Sequence, residues 1–342
     1  MWLLGRSRIP TVLAGEQRTR GPEHTGAVDE PRTGDVGRPA VWRGLALVST
    51  AGIVWGTIGP GVRLVHDGSR LDPLTISAYR SIVAVAVLFV VCLGRRRLTA
   101  CWVSARRHWR QVALVGTLTA IFQMLFFIAV VLTGVSVTTV VSLGLAPLLL
   151  LVLESVRRRR PPSTGKAVTI ALAVIGLALV SITSSPVSGS GDRTLGVLAA
   201  LGSGAAYALS AQAAAPLTRE LDTMSMTTAT TTVAATVLVP CGLAATVIRG
   251  APLGISDARS WLLIAYLGAV TMAAAYALLY AGLRHTPSGT AVVATLLEPV
   301  TALAIAVLFL DEHLTATGAA GSLLILAAIA SLGWRADEVS PQ

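Results

Sequence analysis

Residues 111–153, QVALVGTLTAIFQMLFFIAVVLTGVSVTTVVSLGLAPLLLLVL, run for 43 positions without one charged side chain. A helix needs about 20 apolar residues to cross about 30 Å of hydrocarbon, and in lipid every backbone group must pair inside the spanning segment. The run is therefore long enough for two transmembrane helices, divided at Thr133–Gly134. Working outward, further uncharged runs cover 44–62, 167–191, 194–218, 223–248, 260–283 and 314–334. Two more, 74–93 and 288–310, carry one charge each, Arg80 and Glu298. The expected fold is an all-α integral membrane protein with ten transmembrane helices.

Composition agrees. Of 342 residues, 54% are apolar and 13% charged, against about 25% charged in an ordinary soluble domain, too few to cover a soluble surface. The net charge of +10 does not mark a nucleic-acid face, because the basic residues sit in short clusters between uncharged stretches, and no nucleic-acid partner is expected. Cys92, Cys101 and Cys241 form no CxxC and no ligand spacing with histidine. They read as packing residues, and no metal, cofactor or disulfide framework is expected. Residues 1–42 mix Gly, Pro and both charge signs without apolar periodicity, so a disordered N-terminal tail is expected there, with no signal peptide.

Membrane orientation follows the arginines and lysine near the span ends. With the N-terminus inside, the cytoplasmic loops hold 17 such residues, among them Arg95–Arg97 and Arg157–Arg160, and the outer loops hold five. Both termini are expected in the cytoplasm of a multi-pass protein in a bacterial cell membrane, with membrane lipid as its solvent. The Arg157–Arg160 cluster reads first as this topology signal and second as an anionic-lipid contact.

Shifting the chain by 152 residues aligns Gly44 with Gly196, Gly52 with Gly204, Trp109 with Trp261, Gly116 with Gly268, Thr119 with Thr271 and Pro147 with Pro299. The domains expected from this are a first repeat over 43–190, a second over 191–336 and a short tail over 337–342. Each half holds five spans, an odd number, so the second must enter the membrane from the opposite side. Inverted halves are shared by many secondary transporters, which bind substrate near the midplane.

The Trp55–Gly56 pair, Ser136 to Pro147, and the Leu297–Glu298–Pro299–Val300 run followed by Asp311–Glu312 and Leu314–Thr315 resemble the two EamA-type halves of the drug/metabolite transporter superfamily. The resemblance spans about residues 42–335. It implies ten helices and export or exchange of a small metabolite, amino acid or drug. One departure is Arg160, which stands where an acidic residue is expected 13 positions after Pro147, as Glu312 follows Pro299.

An intramembrane charge is expensive, so each needs a reason. Glu298 lies one residue from the middle of its span, and Pro299 removes a backbone donor and exposes a carbonyl near Thr295. The carboxyl reads either as a coupling site for protons and a substrate anchor, or as a hydrogen-bonded link between helices. Arg80 either snorkels to the interface or pairs with Glu298 or with an anionic group of the substrate. Trp55, Gln123, Tyr207, Tyr276 and Tyr280 are the expected lining of a mostly apolar midplane cavity, and Pro147 and Pro299 are the expected helix breaks. Gly52 and Gly56, matched by Gly204 and Ala208, fit close helix packing. The expectation is a secondary-active transporter of a small amphipathic molecule working by alternating access. The alternatives are a membrane enzyme, for which no HExxH or intramembrane carboxylate pair is present, and a channel or scaffold, for which no charged pore ring is present.

Overall fold

The computed structural model describes residues 38–183, 192–255, 257–309 and 315–335. The expected tails, 1–37 of the N-terminal one and 337–342, lie outside the described residues, as do Asp311, Glu312 and Leu314. The described chain is helical: α1 (Arg38–Gly56), α2 (Ile58–Ser69), α3 (Pro73–Gly94), α4 (Leu98–Arg107), α5 (Trp109–Thr133), α6 (Val135–Arg158), α7 (Thr164–Thr183), α8 (Arg193–Glu220), α9 (Thr223–Arg249), α10 (Ala258–Tyr266), a π-helical stretch (Leu267–Ala274), α11 (Ala275–Leu283), α12 (Ser288–Ala294), α13 (Leu297–Phe309) and α14 (Ala316–Arg335). Among the described residues, nine helical segments are long and apolar enough to cross a membrane. The expected tenth span, 314–334, meets a shorter apolar helix, Ala316–Leu332.

Helix boundaries follow local chemistry. Four helices start on an aspartate whose carboxylate accepts a hydrogen bond from the first turn: Asp72 from the Leu74 amide at 2.9 Å, Asp192 from Thr194 at 2.8 Å, Asp222 from Ser225 at 3.2 Å and Asp257 from Ser260 at 2.7 Å. Each cap satisfies an amide that the helix itself cannot pair. At Asp222, burial pushes the carboxyl up, but the Ser225 hydroxyl and amide, with Arg97 nearby, outweigh it and hold the group below the usual carboxylate range. Between α5 and α6 the chain turns at Gly134 with φ of 86°, a conformation glycine adopts without a Cβ penalty. The long apolar run divides there.

The side chains are arranged for lipid. Phe89, Leu198, Ile248, Leu262 and Leu323 are all more than half exposed, while the buried positions hold many Thr, Ser, Ala and Gly residues. Lipid tails are as apolar as leucine, so helices associate through close packing of small residues and interhelical hydrogen bonds. The glycines show this. A Cβ on Gly52 would lie 2.9 Å from the Thr295 carbonyl oxygen, and one on Gly204 would lie 2.3 Å from that of Ser142. A Cβ on Gly116 would lie 2.7 Å from the Thr230 carbonyl oxygen, and one on Gly268 2.7 Å from that of Arg80. Glycines one repeat apart thus meet helices roughly one repeat apart. Gly176 of α7 and Gly321 of α14 face each other directly.

Three helices depart from a plain span. The first extends from α1 into α2, with a step at Thr57. The span over 260–283 contains the π-helical stretch. The span over 288–310 breaks between Ala294 and Leu297, and Pro299 then lies in the first turn of α13, where a missing N–H leaves no helical bond unmade. Pro147 does not act as its repeat partner does. Contrary to expectation, α6 passes through it without a break; mid-helix, neighbouring turns carry the helix past the lost hydrogen bond. Cys92 and Cys101 are buried, as packing residues are, whereas Cys241 is exposed.

Candidate functional site

The π-helical stretch has a direct consequence. Widening the turn offsets the regular ladder, and the Thr271 carbonyl within it accepts a hydrogen bond from the Trp55 indole at 2.9 Å. Trp55 is thereby held by its polar edge while its ring meets Tyr276 edge-on, with centroids 5.3 Å apart. Tyr276 and Tyr280, one turn apart on α11, follow at 6.0 Å. The Thr230 hydroxyl of α9 donates to the Tyr280 hydroxyl at 3.2 Å. A wall of three aromatic rings thus joins α1 to α11.

The break before α13 supplies the second wall. With its neighbouring turns interrupted, Thr295 hydrogen-bonds back to the Val292 carbonyl at 2.8 Å and meets the Tyr207 hydroxyl at 2.8 Å. Phe122 of α5 packs on Tyr207 at 4.9 Å. Three residues beyond Thr295 comes Glu298, half-buried, whose amide donates to the Thr295 carbonyl at 2.9 Å. Its charge is felt by Tyr207, Tyr276 and Arg80.

Arg80 does not snorkel. It is 4% exposed, donates through Nη2 to Gln123 Oε1, and lies with Cζ 5.9 Å from the centre of the Phe127 ring. Its Nε and Nη1, and Nε2 of Gln123, have no hydrogen-bond partner, and no ion pair joins Arg80 to Glu298. An arginine is always charged, and a buried charge without a full complement of partners is costly. The site therefore holds an Arg–Gln pair with three idle donor nitrogens and a carboxylate beyond ion-pair distance.

The structure places the seven side chains expected at the site in three contacting sets, Trp55 with Tyr276 and Tyr280, Arg80 with Gln123, and Tyr207 and Glu298 on Thr295, drawn from α1, α3, α5, α8, α11 and α13. Tyr276 and Tyr280 border a narrow void with Thr119, Thr230 and Met272, with no room for a water molecule, and Trp55, Gln123, Tyr207 and Glu298 are not among its walls. A larger cavity of about 230 Å³ lies between α3, α5 and α9, lined by Ser77, Met124, Ile128 and Gly242 among others. Sequence reasoning passed over Thr230, Thr271 and Thr295 as site residues. Thr271, aligned with Thr119 one repeat earlier, and Thr295, one turn before Pro299, carried a signal; Thr230 carried none.

A family model described as the EamA-like transporter family matches residues 42–182 and again 194–334. The uncharacterized transporter YwfM of Bacillus subtilis (strain 168) is 31% identical over 292 residues, covering 82% of this chain and 90% of its own length. A crystal structure of a protein 17% identical superimposes with a TM-score of 0.69, covering 86% of this chain and 98% of the other. That likeness concerns the fold alone.

Proposed function

The chain belongs to the EamA-like transporter family, and from that premise we propose that it is a secondary-active transporter carrying a small amphipathic molecule by alternating access between two inverted five-helix halves. It is a multi-pass membrane protein, and its family is one of transporters, which imply a small-molecule substrate. The observation that carries the finer reading is where the charged and aromatic groups come from. Trp55, Arg80 and Gln123 belong to the first half and Tyr207, Tyr276 and Glu298 to the second, so relative movement of the halves would open and close their cluster. Paired glycine contacts one repeat apart, at Gly52 and Gly204 and at Gly116 and Gly268, support the inverted relation, because two copies in opposite orientation exchange equivalent faces. The closed packing around Tyr276 and Tyr280 fits an occluded conformation of that cycle. Membership of this family favours transport over the enzyme, channel and scaffold alternatives.

Ten spans with both termini in the cytoplasm give the topology its test. Reporter fusions after Arg110, Arg160 and Arg335 are expected to read cytoplasmic, and one at Asp192 external. The same side for Arg160 and Asp192 would dismantle the inverted arrangement.

The transport reading is tested by flux. Purified full-length protein in proteoliposomes is expected to move small amphipathic or aromatic metabolites, and to leave nucleotide sugars outside, because Arg80 is the only intramembrane cation among the described residues able to meet a polyanion. Protein-dependent flux at least several-fold above protein-free vesicles is the expected result. Preferential uptake of nucleotide sugars would overturn the substrate class, and no flux of any solute would overturn the transport reading.

A further inference from the structure

We propose that the cavity of about 230 Å³ between α3, α5 and α9 is a site for one membrane lipid, a glycerophospholipid with a zwitterionic headgroup, its phosphate at Arg249, an ester carbonyl at Ser77 and an acyl chain between Met124 and Leu238. The inference stands on the spanning character of the helices and does not depend on what the protein transports. The groups on the cavity wall come in that order of depth. Arg249 ends α9 and Asp72 caps α3, so both mark the membrane surface, at the end that the topology above places outside. Ser77 lies five residues into α3 from Asp72, about 7.5 Å deeper at the helical rise. Cys241 lies eight residues into α9 from Arg249, about 12 Å deeper. Charge at the surface, one hydroxyl below it and an apolar wall below that is the order of phosphate, ester and chain in a lipid.

Ser77 makes this more than an apolar crevice. Its side chain is 2% exposed, and its Oγ has no hydrogen-bond partner. A serine in an apolar helix can bond back to the carbonyl one turn earlier, as Ser81 of the same helix does to Ser77 at 2.7 Å. Ser77 leaves that bond unmade and stands on the cavity wall. A buried hydroxyl without a partner calls for an explanation. An ester carbonyl accepts from it, whereas a hydrocarbon chain alone cannot. The cavity is also open to the face of the helix bundle, because Cys241, well inside its span, lines the wall and is exposed.

Charge selects the headgroup. Arg249 donates through Nη1 to Asp72 Oδ2 at 2.7 Å, and the pair is neutral as a unit. A guanidinium has five N–H donors, so a phosphate oxygen can be met beside the aspartate. A headgroup with net negative charge would set the excess against the Asp72 carboxylate. A zwitterionic headgroup answers both members of the pair, phosphate to Arg249 and ammonium to Asp72.

Cys241 gives the test a built-in reporter, because Cys92 and Cys101 are buried. Purified full-length protein in detergent is treated with N-ethylmaleimide, and adduct formation at Cys241 is followed by peptide mass spectrometry. Added dioleoylphosphatidylethanolamine is expected to slow the reaction several-fold and in a saturable manner. Its diether analogue, which lacks both ester carbonyls, should need about fivefold more lipid for the same protection, as for the loss of one hydrogen bond from a buried donor. Dioleoylphosphatidylglycerol is expected to protect less than phosphatidylethanolamine. Ser77→Ala should remove the difference between diester and diether lipid and leave the lipid-free reactivity of Cys241 unchanged. The comparison in wild-type protein stands even where the variant fails to fold. Equal protection by diester and diether, no protection by either, or stronger protection by phosphatidylglycerol would overturn the inference. In proteoliposomes, a membrane-impermeant sulfonate thiol reagent is expected to leave Cys241 unmodified; rapid modification would reveal a water-filled crevice and overturn the inference as well.

Discussion

Glu298→Gln protein is expected to reach the membrane in near wild-type amounts and to lose the pH dependence of transport. Glutamine keeps the length and much of the hydrogen bonding of glutamate but carries no titratable proton. The charged or titratable groups near position 298 are Arg80, Tyr207 and Tyr276. Of these, arginine stays charged at all working pH values and an unperturbed tyrosine titrates only near pH 10, so the carboxyl is the one of these groups able to exchange a proton. A single site of this kind changes its occupancy by at most about tenfold per pH unit, which bounds the wild-type response, and the variant should vary by less than about twofold across the same range. Initial flux measured from pH 5.5 to 8.5 in proteoliposomes checks this. Glu298→Asp, which keeps a titratable group on a shorter stem, should retain a pH response and so separates loss of the proton from loss of shape. A Glu298→Gln protein with the full wild-type profile would leave the carboxyl a purely structural link between α13 and its neighbours.

Gly204→Ala should be among the most damaging single-methyl changes in the molecule. The new Cβ would stand 2.3 Å from the Ser142 carbonyl oxygen and 3.1 Å from its Cα and carbonyl carbon. These are backbone atoms and cannot rotate aside, so α6 and α8 would have to separate by roughly 1 Å to restore an ordinary contact. Overpacking of this kind costs about 1–3 kcal/mol and occasionally more. The separation would also pull apart the hydrogen bond from Ser142 Oγ to Ser203 Oγ at 3.0 Å. Gly202→Ala on the same helix supplies the control: its Cβ would meet only a terminal methyl of Leu125, at 3.0 Å, which can move. Thermal unfolding of the purified proteins is expected to show a clear loss of stability for Gly204→Ala and little change for Gly202→Ala. Equal melting of the two would show that α6 and α8 are not held at close range.

The membrane-spanning character of this chain was legible in its sequence, because the hydrocarbon core imposes a length and an absence of charge that uncharged runs such as 111–153 reveal directly. Its repeat was legible for a related reason. Glycines at Gly52, Gly116, Gly204 and Gly268 recur at one offset, and the structure puts a neighbouring backbone where each Cβ would stand. The polar and aromatic members of the site could be named from the sequence because intramembrane charge and tyrosine are scarce enough to stand out. Their state could not. Whether Arg80 reaches the interface or stays inside depends on Gln123 and Phe127, 43 and 47 positions away, offering it a partner and a ring. The different behaviour of Pro147 and Pro299 depends on whether the proline falls in the middle of a helix or in the first turn of a new one, and the break at Thr295 that decides this is stabilised by Tyr207 from another helix. The π-helical stretch, which turns the Thr271 carbonyl to Trp55, leaves no periodic trace in a run that is apolar all round. Hydrophobic length and spacing are properties of one segment, and so the sequence alone determined them. Hydrogen-bond partners across helices are properties of pairs of segments, and only the tertiary structure brings those pairs together.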